Sequence, residues 1–271
     1  MKHPEMSKLT PLAVGTVAGT IAGALMIRER RARIHAERLG AATLETLLNA
    51  IDANDASTGA HVRRVADYSL ILADAAGFDD RTRHSIERVA LFHDIGKIHE
   101  AIADIFHDDD KLTPAERRAV MTHPQRGADV LAPLKHFYPD LSEGVLSHHE
   151  RWDGTGYPRH LKARRIPLTA RVVAIADTFD AITHARRYSG ARSVEEAKKA
   201  IAEGRGTQFD PDLADLFLSP PVMELVEHRM GMKRAPRRKD QRRDGTRTDH
   251  PVPDLKFRWR SEVVSPRPRG R

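Results

Sequence analysis

The chain has 271 residues, a formal net charge of +7 and no cysteine. This length accommodates one sizeable domain with appendages, and the lack of cysteine excludes disulfides and thiolate metal sites. Residues 231–271 alone carry a net charge of +9, so the first 230 residues sum to −2. The basic charge therefore belongs to the C-terminal tail, which argues against a nucleic-acid-binding core.

An uncharged stretch of 19 positions covers residues 9–27. Because about 20 apolar residues span a bilayer as a helix, the stretch predicts one N-terminal transmembrane helix. Residues 28–33 contain four arginines, whereas only two lysines precede the stretch. This bias predicts that residues 1–8 form a short extracytoplasmic tip and that the rest of the chain lies in the cytoplasm, beneath the inner membrane.

Two alternatives remain open for residues 9–27. Ala22-Gly23-Ala24 is similar to a signal-peptide cleavage site, although the positive charge lies on the opposite side from that of a signal peptide. The many Gly, Ala and Thr residues also leave open a weakly inserted segment. Glycines 15, 19 and 23 form a doubled G-x-x-x-G pattern, which favours a homodimer of membrane helices.

Helical periodicity continues beyond the membrane segment. Residues 28–40 are a predicted helical linker, and a leucine-rich helix follows to about residue 54. A second helix is predicted from about residue 58 to 76, with Gly77 as its stop. Asp80 is then expected to cap a helix that ends at His93. Thr113 starts a capping box followed by Pro114, which predicts a helix that carries His123.

The remaining sequence also lacks strand patterns. Asp140 or Ser142 is expected to cap a helix that ends at residues 148–149, and Leu168 to Thr183 is predicted to be helical. A second capping box begins at Ser193. No apolar alternation is found, so the predicted fold class is all-α. Residues 231–271 read as a disordered basic tail, either simply solvated or bound to anionic lipid headgroups.

A His-Asp doublet, His93-Asp94, follows an apolar run and begins a series of possible metal donors. The other members are His61, His123, His148, His149 and Asp177. Imidazole and carboxylate donors suit a divalent transition metal. Asp177 interrupts an apolar helix, where a carboxylate is costly unless it is paired or metal-bound. Seven donors are too many for one tetrahedral site but suit two metals that share a bridging carboxylate.

The order of these donors resembles the HD superfamily of metal-dependent phosphohydrolases. Residues 148–158, which read HHERWDGTGYP, narrow the resemblance to the HD-GYP family. Residues 166–168, 176–181 and 206–211 are similar to later sequence blocks of that family. The resemblance covers about residues 41–230 and implies an HD-domain helical bundle that acts in bacterial signal transduction.

The resemblance implies a phosphodiesterase that hydrolyses cyclic di-GMP to pGpG and/or GMP, and the predicted transmembrane helix would anchor this enzyme in the membrane. It implies two divalent ions, with iron or manganese as the expected metals. The first ion would be held by His61, His93, Asp94 and Asp177. The second would be held by His123, His148 and His149, with Asp94 bridging the pair. Ser57 stands where some relatives carry a glutamate for a third metal, which favours two ions.

Three further residues are expected to act on the substrate or a partner. Lys97 is placed to contact a non-bridging phosphate oxygen, and Arg186 matches a basic position of the family. Tyr157 lies on a loop that the family associates with substrate or with GGDEF partner domains. Two other functions stay open: a non-catalytic module that binds the dinucleotide or docks a GGDEF protein, and a hydrolase of another cyclic dinucleotide.

Overall fold

The computed structural model describes residues 11–98, 113–184 and 193–231. The side chains of residues 11–25, 33, 54 and 98 are not among those described. Every site residue discussed below lies in the compact unit formed by residues 46–246.

Ten α-helices occur in the described residues, with three short 3-10 turns at Ile95–Ile98, Ala132–Leu134 and Ala163–Arg165. The helices are α1 (Pro11–Asn54), α2 (Ala56–Ala75), α3 (Asp80–Phe92), α4 (Pro114–Val120), α5 (His123–Leu131), α6 (Leu141–Ser147), α7 (Leu168–Thr183), α8 (Val194–Glu203), α9 (Pro211–Phe217) and α10 (Pro220–Arg229). These ranges contain no strand, apart from one isolated bridge between Arg205 and Phe209. The predicted all-α class is confirmed.

Two of the predicted helix starts are confirmed by their hydrogen bonds. At Thr113 and Ser193 the hydroxyl accepts from the backbone N–H three residues later, and the Glu at that position accepts from the cap backbone. Each capping box therefore satisfies two backbone donors that would otherwise lack partners. Helix α7 has the predicted bounds, Leu168–Thr183.

Two predictions about the helices are wrong in detail: the cap of α3 and the helix that carries His123. The cap of α3 is Asp79 and not Asp80, because the Asp79 side chain accepts from the backbone N–H of Thr82. The helix that begins after Thr113 ends at Val120, and His123 is the first residue of the next helix, α5. Pro124 explains the break, since a proline fits the first turn of a helix but not its interior.

Helices α2, α3 and α7 pack together as the centre of the bundle. Phe179 on α7 is fully buried and lies edge-on to both Tyr68 of α2 and Phe217 of α9. Burial of such aromatic side chains supplies about 1.5–3 kcal/mol each. This core fixes the positions of the helices that carry the polar residues described next.

The 3-10 turn after α3 approaches α5 so closely that only glycine fits at residue 96. A Cβ at Gly96 would lie 2.1 Å from the carbonyl oxygen of His123 and 2.7 Å from the backbone nitrogen of Gly127. Real Cβ atoms do not come this close to backbone. The absence of a side chain at Gly96 therefore lets the His93-Asp94 doublet lie beside His123.

No helix among the described residues is both long and apolar enough to cross a bilayer. Residues 11–27 are helical as part of α1, but most side chains of the predicted span at residues 9–27 lie outside the described ones. The transmembrane helix is therefore not confirmed and stays a prediction. The tip at residues 1–8 and tail residues 232–271 lie wholly outside the described ranges.

Candidate metal centre

The seven predicted donors come from five helices or helix ends, and their ligand atoms lie close together. His61 lies within α2 and Asp177 within α7, whereas the other five lie at helix ends. His93 and Asp94 follow α3, His123 begins α5, and the His148-His149 doublet follows α6. At the end of a helix no further helical turn follows, so side chains from several helices can approach one another there.

Three of the histidines are oriented by the same local hydrogen bond. In each case ring atom Nδ1 lies within hydrogen-bond distance of the carbonyl oxygen three residues earlier. The three pairs are His93 with Ala90 (2.8 Å), His123 with Val120 (2.7 Å) and His148 with Val145 (2.6 Å). Because a carbonyl can only accept, Nδ1 must carry the proton and Nε2 of a neutral ring must hold the lone pair.

The donors form two groups, each with ligand atoms that lie within 4.8 Å of one another. One group contains His61, His93 and Asp177, and the other contains His123, His148 and His149. These two groups contain the same histidines and the same Asp177 as the two ligand sets expected from the sequence. Asp94, the expected bridging residue, belongs to neither group.

Asp94 lies between the two groups and points one carboxylate oxygen towards each. Its Oδ2 is 3.5 Å from His93 Nε2 and 3.9 Å from His61 Nε2. Its Oδ1 is 3.4 Å from His123 Nε2 and 4.0 Å from His148 Nε2. A carboxylate with one oxygen towards each donor group has the arrangement of a bridging metal ligand.

The donors fit divalent metal ions because several of their inward atoms have no hydrogen-bond donor among the described residues. The Nε2 atoms of His123 and His148 are only 3.1 Å apart, yet both hold lone pairs when Nδ1 is protonated. His93 Nε2 and Asp94 Oδ1 are also buried, with no hydrogen-bond partner in the part of the chain that the structure describes. Buried acceptors that face one another are costly unless a cation lies among them.

The electrostatics of the second group favour neutral imidazoles. Burial lowers the pKa of His123 to about 4 and that of His149 to about 3, and it holds the pKa of His148 well below its usual range. All three rings are therefore neutral at pH 7, which is the form that binds a metal.

In contrast to the second group, the first group and the neighbouring Asp94 contain charged side chains. Burial opposes a charge on His61, but hydrogen bonds with Asp177 and Asp180 outweigh it and raise the pKa of His61 to about 9. Burial likewise opposes ionisation of Asp94, yet the Lys97 ammonium and nearby histidines hold its pKa well below the usual range. Metal binding at His61 Nε2 would therefore release a proton.

A cleft of about 370 Å³ opens beside the centre. Its lining includes His148, His149 and Asp177, together with the cationic side chains Arg117 and Arg151. Tyr157 also lines the cleft and stacks on His149, with ring centroids 4.9 Å apart. A cleft with two guanidinium groups next to metal donors suits an anionic ligand.

The other predicted substrate residues have different outcomes. Lys97 donates to Asp94 Oδ2 at 2.6 Å, so its ammonium is directed at the carboxylate between the two groups. Arg186 lies outside the described residues, and its predicted contact with substrate stays a prediction.

Comparison with known proteins identifies the family. A family model described as HD domain matches residues 45–213, which is more than half of the chain. The chain belongs to the HD domain family. The HD-GYP assignment made from the sequence is confirmed by this match together with the similarity to relatives named as cyclic di-GMP and cGAMP phosphodiesterases.

Two curated relatives illustrate the similarity of this HD domain protein. It is 36% identical over 174 residues to the 3'3'-cGAMP-specific phosphodiesterase 2 of Vibrio cholerae, covering 64% of this chain and 33% of the relative. It is 36% identical over 178 residues to the cyclic di-GMP phosphodiesterase response regulator RpfG of Xanthomonas campestris, covering 65% and 47%. The chain thus spans a third to a half of the length of these relatives.

A solved structure supports the HD fold independently. The cyclic GMP-AMP-specific phosphodiesterase of V. cholerae superposes with a TM-score of 0.52 over 70% of this chain and 53% of the other. The sequences are 20% identical, so this likeness concerns the fold alone.

Asp180 is a buried residue of the HD domain that sequence reasoning missed. Its carboxylate lies 2.6 Å from His61 Nδ1 and accepts two hydrogen bonds from Arg64, at 2.7 and 2.9 Å. His184 Nδ1 lies 3.0 Å away. Since Asp180 interrupts the same apolar helix as Asp177, the argument from the cost of a buried carboxylate applied to both residues. Asp180 orients His61 so that Nε2 faces the other donors.

We expect Asp180→Asn to weaken metal binding by about 10- to 100-fold, because it removes the charge that orients and polarises a ligand histidine. The measurement is competition for Mn²⁺ against a chelator of known affinity. Asp67→Asn is the matched control, since Asp67 also lies on the bundle and pairs with an arginine, Arg229, away from the donors. Equal affinities for Asp180→Asn and the parent would contradict the orienting role.

Proposed function

We propose that this chain is a metal-dependent phosphodiesterase that hydrolyses cyclic di-GMP to pGpG and/or GMP. The observation that carries the proposal is the pair of donor groups with Asp94 between them. The names of the relatives support a cyclic dinucleotide as the substrate class.

In this proposal two ions, iron or manganese, occupy the two donor groups. His61, His93 and Asp177 hold one, His123, His148 and His149 hold the other, and Asp94 bridges them. Bound there, divalent ions would neutralise phosphate charge and supply an acidified water as nucleophile. Imidazole and carboxylate donors are compatible with both metals.

The protein's own side chains hold the reacting groups in place. Lys97 keeps Asp94 ionised and adds positive charge beside the phosphate position. Arg117 and Arg151 line the cleft and favour a dinucleotide with two phosphates. The aromatic ring of Tyr157 lines the cleft next to His149. We propose that Arg186 adds a further cationic side chain.

We expect His93→Ala and Asp94→Ala each to abolish turnover of cyclic di-GMP, since each removes a donor from the centre of the site. The measurement is chromatographic detection of linear product from purified protein supplied with Mn²⁺ or Fe²⁺. His136→Ala is the control, because His136 is an exposed histidine outside both donor groups. It should retain the activity of the parent protein.

Two results of this experiment would contradict the proposal. Turnover that survives both His93→Ala and Asp94→Ala would remove the metal centre from the reaction. Tight binding of cyclic di-GMP without any hydrolysis would favour a non-catalytic module that binds the dinucleotide, or one that docks a GGDEF protein through Tyr157. A panel of cyclic dinucleotides separates cyclic di-GMP from other substrates of the same class.

We also propose that residues 9–27 anchor the protein in the inner membrane and pair two copies through glycines 15, 19 and 23. The support is the uncharged sequence, its arginine-rich flank and the helical backbone of α1 from Pro11 onwards. Small residues four positions apart let two helices approach closely. The basic tail could then contact anionic headgroups at the cytoplasmic face.

We expect Gly19→Leu to weaken self-association of this segment in a bilayer reporter assay while the fusion stays membrane-bound. A leucine side chain would hold the two helix backbones apart. If Gly15→Leu, Gly19→Leu and Gly23→Leu all associate like the parent, the pairing proposal fails. The anchor would be tested separately by membrane fractionation of the parent.

A further inference from the structure

Gln208 lines the cleft beside the metal centre although it is far from the donors in sequence. It lies on the loop between α8 and α9, which pairs with the loop that follows the His148-His149 doublet. The backbone N–H of Trp152 donates to the Gln208 carbonyl at 3.1 Å, and that of Asp153 donates to the Thr207 carbonyl at 2.8 Å. These two bonds hold Gln208 against the loop that leads to Tyr157.

The side-chain amide of Gln208 has a defined direction. Arg151 Nη1 donates to Gln208 Oε1 at 3.0 Å. Because a guanidinium can only donate, the amide oxygen must face Arg151 and the amide nitrogen must face the other way. Arg151 is itself held by Thr155 Oγ1, at 3.0 Å from its Nε, and by Asp153, at 3.6 Å.

The amide nitrogen of Gln208 has spare capacity to donate. Its only acceptor among the described residues is Thr178 Oγ1, at the long distance of 3.5 Å. An NH₂ group carries two hydrogens, so at least one N–H remains for a ligand. Thr178 follows the donor Asp177 directly in sequence and also lines the cleft. The free N–H therefore lies in the part of the cleft next to the metal centre.

We propose that Gln208 determines base specificity by donating an amide N–H to a guanine of the dinucleotide. Guanine presents two acceptors, O6 and N7, on one edge, whereas adenine presents the N7 acceptor and an amino donor. A glutamine recognises adenine with both its oxygen and its nitrogen. Arg151 turns the oxygen of Gln208 away, so the side chain offers only a donor, which O6 of guanine accepts and the amino group of adenine cannot accept. This inference rests on the proposed function for its ligand class.

The test measures binding to the 271-residue chain loaded with Mn²⁺. The ligands are phosphorothioate analogues of cyclic di-GMP and cyclic di-AMP that resist hydrolysis, titrated by calorimetry. Gln208→Ala removes the donor, and Gln208→Glu replaces it with an acceptor of the same shape that can still pair with Arg151. Gln125→Ala is the control, because Gln125 is exposed and bonds to Asp129.

We expect both Gln208 variants to raise the Kd of the guanine analogue by about 2- to 12-fold, the range of one net hydrogen bond. The Kd of the adenine analogue should change less than twofold, and Gln125→Ala should bind both like the parent. If Gln208→Ala fails to fold, the Kd values of Gln208→Glu alone test the proposal. An unchanged Kd for the guanine analogue, an equal rise for both analogues, or no binding of either by the parent would overturn the proposal.

Hydrolysis of bis(p-nitrophenyl) phosphate, which has no nucleobase, separates this inference from the proposed function. The parent and Gln125→Ala should hydrolyse it at equal rates. A parent that hydrolyses neither this ester nor cyclic di-GMP would defeat the proposed function, while the two Kd values would still decide the role of Gln208. Loss of ester hydrolysis in both Gln208 variants together with an equal rise in Kd for the two analogues would instead make Gln208 a loop-positioning residue and overturn base recognition.

Discussion

The buried carboxylate of Asp94 is the constraint on which the site depends. It is 5% exposed, and Lys97 Nζ lies 2.6 Å from one of its oxygens. Its other oxygen has no hydrogen-bond donor within residues 11–98, 113–184 and 193–231. An ionised carboxylate in such a place is costly unless positive charge surrounds it. Lys97 supplies one charge, and the inward lone pairs of the histidines provide positions for metal ions that would supply more.

The rest of the bundle positions this carboxylate and the histidines around it. Glycine at position 96 lets the turn after α3 touch α5, which sets Asp94 beside His123. The carbonyls of Ala90, Val120 and Val145 then turn three imidazoles so that their lone pairs face inward. Asp180 does the same for His61, with a carboxylate in place of a carbonyl. Backbone and side chains therefore orient the donors before any ion binds.

Much of this organisation could be predicted from the sequence because it depends on local chemistry. The capping boxes at Thr113 and Ser193 and the all-α class follow from short-range patterns. The grouping of donors was predictable only because their order matches a family. Asp180 and Gln208 were missed because their roles depend on partners far away in sequence, such as His61 at 119 positions from Asp180. Periodicity carries no information about such long-range pairs.

We propose that Asp94 joins two metal positions. The most direct measurement is anomalous X-ray diffraction from crystals of the Mn²⁺-loaded protein. We expect two anomalous peaks roughly 3.5–4 Å apart, the spacing of two-metal sites, with one oxygen of Asp94 on each. One peak would lie beside His61, His93 and Asp177, and the other beside His123, His148 and His149. A single peak, or two peaks that Asp94 does not join, would contradict this proposal.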